Sequence, residues 1–226
     1  MTTKIKYFFY KFFNDKNEKE FIKHNKKNFR TNSQKKKSIV LMELNESSSN
    51  VISYSYFSSV LEKKYDASIY AFIPRVPRSS YLKLLWYFRS KFSFKTLNLF
   101  NSFGSTGLVI PSLNNFMKAE VDEIFNKKVN LIKTKDDLEN LDIYGIIFGD
   151  LIYDYYLNYY KDSEIEIFSE KFKVHLKYCI EQIVFWKNFI KDNNVKAINV
   201  SHTVYTNAIP VRIAIEQEIP SFQTTA

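Results

Sequence analysis

The sequence predicts an α/β protein built on a doubly wound, mostly parallel sheet. Three observations carry that prediction. Short apolar, β-branched runs of strand length recur along the chain. Segments with helical spacing of apolar residues lie between them. The resulting alternation of strand and helix is the pattern of βαβ units, whose crossovers are right-handed. With 226 residues, 45% of them apolar and 25% charged, the chain is long enough to bury a sizeable core. The same figures exclude collagen-like, coiled-coil and wholly disordered classes.

The elements follow in order. Residues 38–44 (SIVLMEL) form a buried strand that ends at Glu43, Asn45 and the Ser47 to Ser49 cluster, where Asn50 or a neighbouring Ser caps a helix. That helix covers about 50–64, with Val51, Tyr54, Phe57, Ser58 and Leu61 at helical spacing and Lys63, Lys64 and Asp66 closing it. ASIYAFI (67–73) is the second strand, stopped by Pro74 and Pro77. Residues 81–100 read as one long or two broken helices, 107–111 as a strand, and 114–127 as a helix with Phe116, Val121, Ile124 and Phe125 inward. IYGIIFGD (143–150) reads as a strand with a polar end. Residues 165–192 are the longest periodic segment, with Phe168, Phe172, Leu176, Cys179, Ile180, Ile183, Val184 and Ile190 on a core face. A buried strand (195–202), a helix (205–218) and a last strand (220–226) complete the chain. A chain that stops at the end of a strand reads as part of a longer polypeptide.

Several function classes drop out on composition. Four glycines leave no GxGxxG turn, no GxxxxGK[ST] loop and no glycine-rich methyltransferase loop. A single cysteine, Cys179, and three histidines exclude an intramolecular disulfide and a Cys-rich zinc cluster, and a reducing cytoplasm fits. No metal site is expected. Residues 1–37 carry 12 Lys and Arg against three acidic residues, whereas the remainder holds 21 of each sign. The net charge of +9 therefore belongs to a basic, aromatic extension (1–37) ahead of an α/β domain (38–226), and no nucleic-acid partner is expected. Residues 4–13 (KIKYFFYKFF) are too short to span a bilayer. Two readings of the extension stay open: peripheral contact with the inner face of a membrane through residues 4–37, or a helix packing its aromatics on its own domain, followed by a solvated linker.

Ligands of open α/β sheets bind beyond the carboxyl ends of the strands, which singles out Glu43 and Asn45, Arg75 and Arg78, Gly149 to Asp154, and Ser201 to Tyr205. In FGDLIYDYYLNYY (148–160), Asp154 lies one helical turn beyond Asp150, amid Tyr153, Tyr155, Tyr156, Tyr159 and Tyr160. Carboxylates accept from sugar hydroxyls and tyrosine rings pack on sugar faces. The alternative is that Asp150 merely caps a helix and that the tyrosines reflect composition. In NVSHTVYTNAIPVR (199–212), His202 follows a strand and Pro210 restricts the helix start to the region of Tyr205 to Asn207. Amides there, with the hydroxyls of Ser201, Thr203 and Thr206, suit an anion or phosphate beside His202. The alternative is a histidine hydrogen-bonded at a sheet edge. His175 reads as a satisfied core histidine and His24 as solvated.

GDLIYDYYLNYY followed by VSHTVYTNAIPVRIAIEQEIPSFQ resembles the amino-terminal domain of bacterial capsular or surface-polysaccharide biosynthesis proteins, glycosyltransferases of the GT-B type. The likeness covers roughly 140–226 well and 38–75 loosely. It departs at Glu218, where a glycine commonly sits, and in the second Rossmann-like domain of that architecture, which does not appear in these 226 residues. The resemblance implies a Rossmann-like fold and cytoplasmic transfer of a sugar from a nucleotide-sugar donor to a glycan or lipid-linked acceptor, without metal or cofactor. It implies Asp150, then His202, as the base and Arg212 with the helix start near Thr206 on the phosphate side. Glu43, Asn45, Tyr153, Asp154, Ser201, Thr203 and Tyr205 are the remaining substrate-binding candidates. A CDP-alditol-type phosphotransferase and a non-catalytic Rossmann-like binding or assembly domain are the alternatives.

Overall fold

A computed structural model describes residues 13–29, 36–44, 47–73 and 95–224. In chain order the elements are α1 (Lys16–Asn28), β1 (Ser38–Glu43), α2 (Ser48–Tyr65), β2 (Ala67–Phe72), α3 (Lys95–Asn101), β3 (Gly107–Val109), α4 (Asn115–Val129) and α5 (Lys135–Glu139). They continue with β4 (Asp142–Ile143), β5 (Ile146–Ile147), α6 (Gly149–Tyr160), α7 (Glu170–Asp192), β6 (Asn194–Val200), a 3-10 turn (Tyr205–Ala208), α8 (Ile209–Glu216) and β7 (Ser221–Gln223). Five strands form an all-parallel sheet in the order β3-β2-β1-β6-β7, flanked by helices. This is the expected doubly wound, Rossmann-like architecture. The chain grows outward from β1 through β2 and β3, then resumes on the other side of β1, so the order reverses between β1 and β6.

By contacts the chain divides into two compact units: Met1–Ile110 with Val195–Asn199 and Thr224–Ala226, and Pro111–Asn194 with Val200–Gln223. In the first, β1 and β2 pair in parallel with Val40 opposite Ile69 and Met42 opposite Ala71. On β3, Gly107 stands opposite Tyr70, and a Cβ there would meet the tyrosine ring at 2.8 Å, so the ring covers the place of a side chain. Met42, Val51, Tyr54, Ile69, Ala71, Leu97, Leu99 and Phe100 form a buried cluster. α2 sends Val51, Tyr54 and Leu61 into this core. Its buried Ser55 and Ser59 return their hydroxyls to the carbonyls four residues back, which lets small polar residues lie inside.

The polar run that the sequence reading treats as extension and linker contains α1, and α1 belongs to this core. Asp15 and Glu18 make a reciprocal capping box at its start. Phe21 and Ile22 pack against the buried cluster. Asn25, fully buried, donates to Ser102 Oγ at 3.1 Å. The aromatic residues 4–12, the segment 81–94, Arg75, Arg78 and Asn45 lie outside the described residues.

In the second unit, α7 is the central support, capped by Ser169 and burying Phe172, Leu176, Cys179, Ile180, Ile183, Val184 and Ile190 as its periodicity predicts. Phe168 is 70% exposed, contrary to expectation, because it precedes the cap and is not part of the helix. Phe116 is likewise exposed, at 72%, because it sits in the first turn of α4, whose buried contact is made by Val121. Residues 143–150 are not a strand of the parallel sheet. Tyr144 and Gly145 both take left-handed backbone (φ 62° and 81°), folding β4 and β5 into an antiparallel hairpin, and α6 begins at Gly149. The Tyr144 hydroxyl donates to Glu120 at 2.6 Å, while Lys187 lies 3.6 Å over its ring, fixing the turn to α4 and α7. α8 starts one residue before Pro210, where a missing amide costs nothing. Beyond it Glu218 takes φ 56°, the conformation that favours the glycine expected there.

Candidate active site

α6 carries the first candidate segment, and its start is dictated by packing. A Cβ on Gly149 would fall 1.7 Å from the Leu138 carbonyl oxygen, so only glycine lets α6 approach the backbone of α5. The next residue, Asp150, therefore sits in the first turn of a helix and not at a strand end, which corrects the sequence expectation. α6 packs on the 3-10 turn of the second candidate segment. There Arg212 of α8 forks onto Asp150, Nη1 donating to Oδ1 at 2.6 Å and Nη2 to Oδ2 at 2.5 Å. Nη1 also donates to the Ile147 carbonyl at 2.5 Å, so one guanidinium ties hairpin, α6 and α8 together.

The charges follow from this clasp. Burial works against ionisation of Asp150, but the hydrogen bonds and charge of Arg212, with the amides of Leu151 and Asp150, outweigh it and hold the carboxyl below the usual range. Asp154, one turn on and exposed, moves the other way: partial desolvation, then the charges of Asp150 and Glu139, raise it against the pull of Lys135. Lys135 lies 4.6 Å over the Tyr153 ring. Two carboxylates of one helix thus differ in proton affinity because only one has a guanidinium partner.

In the second segment His202 is exposed just beyond the end of β6. Thr203 is exposed and donates to Gln223 at 3.0 Å. Ser201 and Thr206 are buried, and Tyr205 opens the 3-10 turn with φ 55°. Glu43 ends β1 in the first unit and is buried. The Tyr54 hydroxyl holds its proton more firmly than usual, mainly through burial and then through the charge of Glu43. His175 is fully buried, with Nε2 3.1 Å from the Ile152 carbonyl and rings of Tyr155, Tyr156 and Tyr160 around it, as a satisfied core histidine should be. Tyrosines of 148–160 are thus partly core: Tyr155 and Tyr156 are buried, whereas Tyr159 is half exposed.

The sequence reading places Asp150 and Arg212 in separate roles and misses their mutual contact, as it misses Ile147 and Lys135. Nothing in residue spacing marks a pair 62 positions apart. Among the described residues, no group of three or more His, Cys, Asp or Glu is arranged to hold a metal ion. Comparison with protein-family models, curated proteins and solved structures yields no match for this chain.

Proposed function

We propose that this chain supplies the acceptor-side domain of a glycosyltransferase in bacterial surface-polysaccharide assembly, moving a sugar from a nucleotide-sugar donor to a hydroxyl of a glycan or lipid-linked acceptor. One observation carries the reading: segments 148–160 and 199–212, the first singled out for sugar hydroxyls and the second for an anion or phosphate, meet, with α6 on the 3-10 turn and Arg212 closed on Asp150. The strand order adds support. Ligands of such sheets bind where the order reverses, and His202 follows β6, one of the two strands flanking that reversal.

In this reading His202 takes the proton of the acceptor hydroxyl. Asp150 is the poorer base, because a carboxylate kept ionised by a guanidinium has little affinity for a proton. It and Arg212 act as a clasp that positions α6 against α8. Asp154, with no such partner, accepts hydrogen bonds from sugar hydroxyls beside the Tyr153 ring. The exposed stretch from His202 to Val204, leading into the 3-10 turn, is the side of the departing phosphates; the Ser201 and Thr206 hydroxyls, being buried, and that of Thr203, given to Gln223, take no part. No cofactor besides the donor is needed.

Saturation-transfer NMR on the full chain tests the reading. Bacterial surface oligosaccharides should receive magnetisation, and the effect should vanish in Tyr153→Ala and Asp154→Asn. Transfer to no glycan, or transfer that survives both substitutions, would contradict it.

A further inference from the structure

Helix α1 has two unlike faces. The inner one holds Glu18, Phe21, Ile22 and Asn25, which bind the first unit. At 100° per residue the outer one brings Lys16, Lys19, Lys23, Lys26 and Lys27 into an arc of roughly 100°. All five are exposed, and none enters an ion pair among the described residues. The inner face being committed to the core, this row faces outward.

From this geometry we infer that the outer face of α1 is a docking surface for an anionic lipid bilayer. The inference is independent of the glycosyltransferase reading. Charge complementarity sets the sign of the partner: the row lies within the 37 residues that carry the whole net charge of +9. The sequence just upstream selects lipid over nucleic acid. Residues 4–13 hold Ile5, Tyr7, Phe8, Phe9, Tyr10, Phe12 and Phe13 among three lysines. That composition suits the headgroup boundary, where rings enter the apolar edge and ammonium groups meet lipid phosphates. A nucleic acid would instead ask for rings spaced as single stacking platforms along a basic groove. Here the rings come in adjacent runs, and residues 38–226 are balanced in charge. Each lysine near an anionic surface is worth about 1 kcal/mol, or roughly fivefold in partitioning.

Co-sedimentation of the full chain with phosphatidylcholine vesicles, with and without phosphatidylserine, tests this. Binding should require phosphatidylserine and weaken as salt shortens the Debye length. Replacing Lys16, Lys19, Lys23, Lys26 and Lys27 by Gln, which keeps helix propensity, should lower partitioning at least about 100-fold. Should that variant fail to fold, Lys19→Gln with Lys23→Gln alone should still lower it roughly 25-fold. A charge-matched variant with Lys63, Lys118, Lys127, Lys133 and Lys196 changed to Gln should stay within about threefold of wild type, since these exposed lysines lie outside α1. Binding indifferent to phosphatidylserine, an equal loss in the charge-matched variant, or preferential capture by a short RNA or DNA at the same salt would overturn the inference.

Discussion

Helix α7 enters its unit through an apolar stripe running from Phe172 to Ile190, with Leu176, Ile180, Ile183 and Val184 between them. Helix α1 buries one residue fully, Asn25, and beside the packing of Phe21 and Ile22 it is held by polar ties gathered on one carboxylate. Glu18 Oε1 accepts from Lys95 Nζ at 3.0 Å and Ser48 Oγ at 3.0 Å, while Oε2 accepts from Asn14 Nδ2 at 3.3 Å and the Asp15 amide at 3.1 Å. The two attachments differ in kind. An apolar stripe gains from each methylene separately, so its parts are close to independent. A half-buried carboxylate network is worth most when complete, since each missing partner leaves a partly desolvated group unsatisfied.

The largest effect should come from the stripe: Ile183→Ala should cost about 2–5 kcal/mol in urea unfolding, as large-to-small changes at a fully buried site do. Next, Glu18→Gln should cost about 3 kcal/mol by removing the negative charge 3.0 Å from Lys95 Nζ, whose side chain is 9% exposed. Adding Lys95→Met should restore most of that loss, and a double variant no better than the single would break the contrast between the two helices. A third polar tie, Arg212 to Asp150, is partly open to solvent, so Arg212→Met should cost only about 1 kcal/mol. Its sign with pH is fixed. Asp150 has a folded-state pKa below its unfolded value, so the pair contributes fully above an unfolded carboxylate pKa of about 4 and fades as pH falls through the lower folded value. Arg212→Met should therefore flatten the acid limb of the stability curve below about pH 4. The smallest effect is a gain: Glu218→Gly should stabilise by up to about 1 kcal/mol, by relieving the left-handed backbone at φ 56°.

The same contrast explains what the sequence discloses. β1, β2, β6, α2 and α7 are legible because each carries its own apolar signal, as Val40, Ile69 and Ile198 do on strands and Leu176 and Ile183 on a helix. α1 is not, because Glu18, Asn25 and Lys95 each read as solvated until the fold brings their partners 77 to 81 residues apart in sequence. The hairpin β4–β5 hides for another reason: its three isoleucines, Ile143, Ile146 and Ile147, mimic one buried strand, and only the Tyr144-Gly145 turn separates the two arms. The candidate segments 148–160 and 199–212 are both visible in the sequence. Their contact is not, and it changes what Asp150 does, from a free carboxylate to half of a clasp.

The claim that these segments make one sugar-binding site, with a structural clasp beside a recognition carboxylate, is tested most directly by calorimetric titration. A bacterial surface oligosaccharide is titrated into wild type, Asp150→Asn and Asp154→Asn, and the melting temperature of each is recorded. The account predicts that Asp154→Asn weakens glycan binding at least about tenfold, as loss of charged hydrogen bonds does, with the melting temperature unchanged. Asp150→Asn should instead lower the melting temperature by about 2–4 °C. Glycan affinity unchanged in Asp154→Asn, or a melting temperature unmoved in Asp150→Asn, would contradict it.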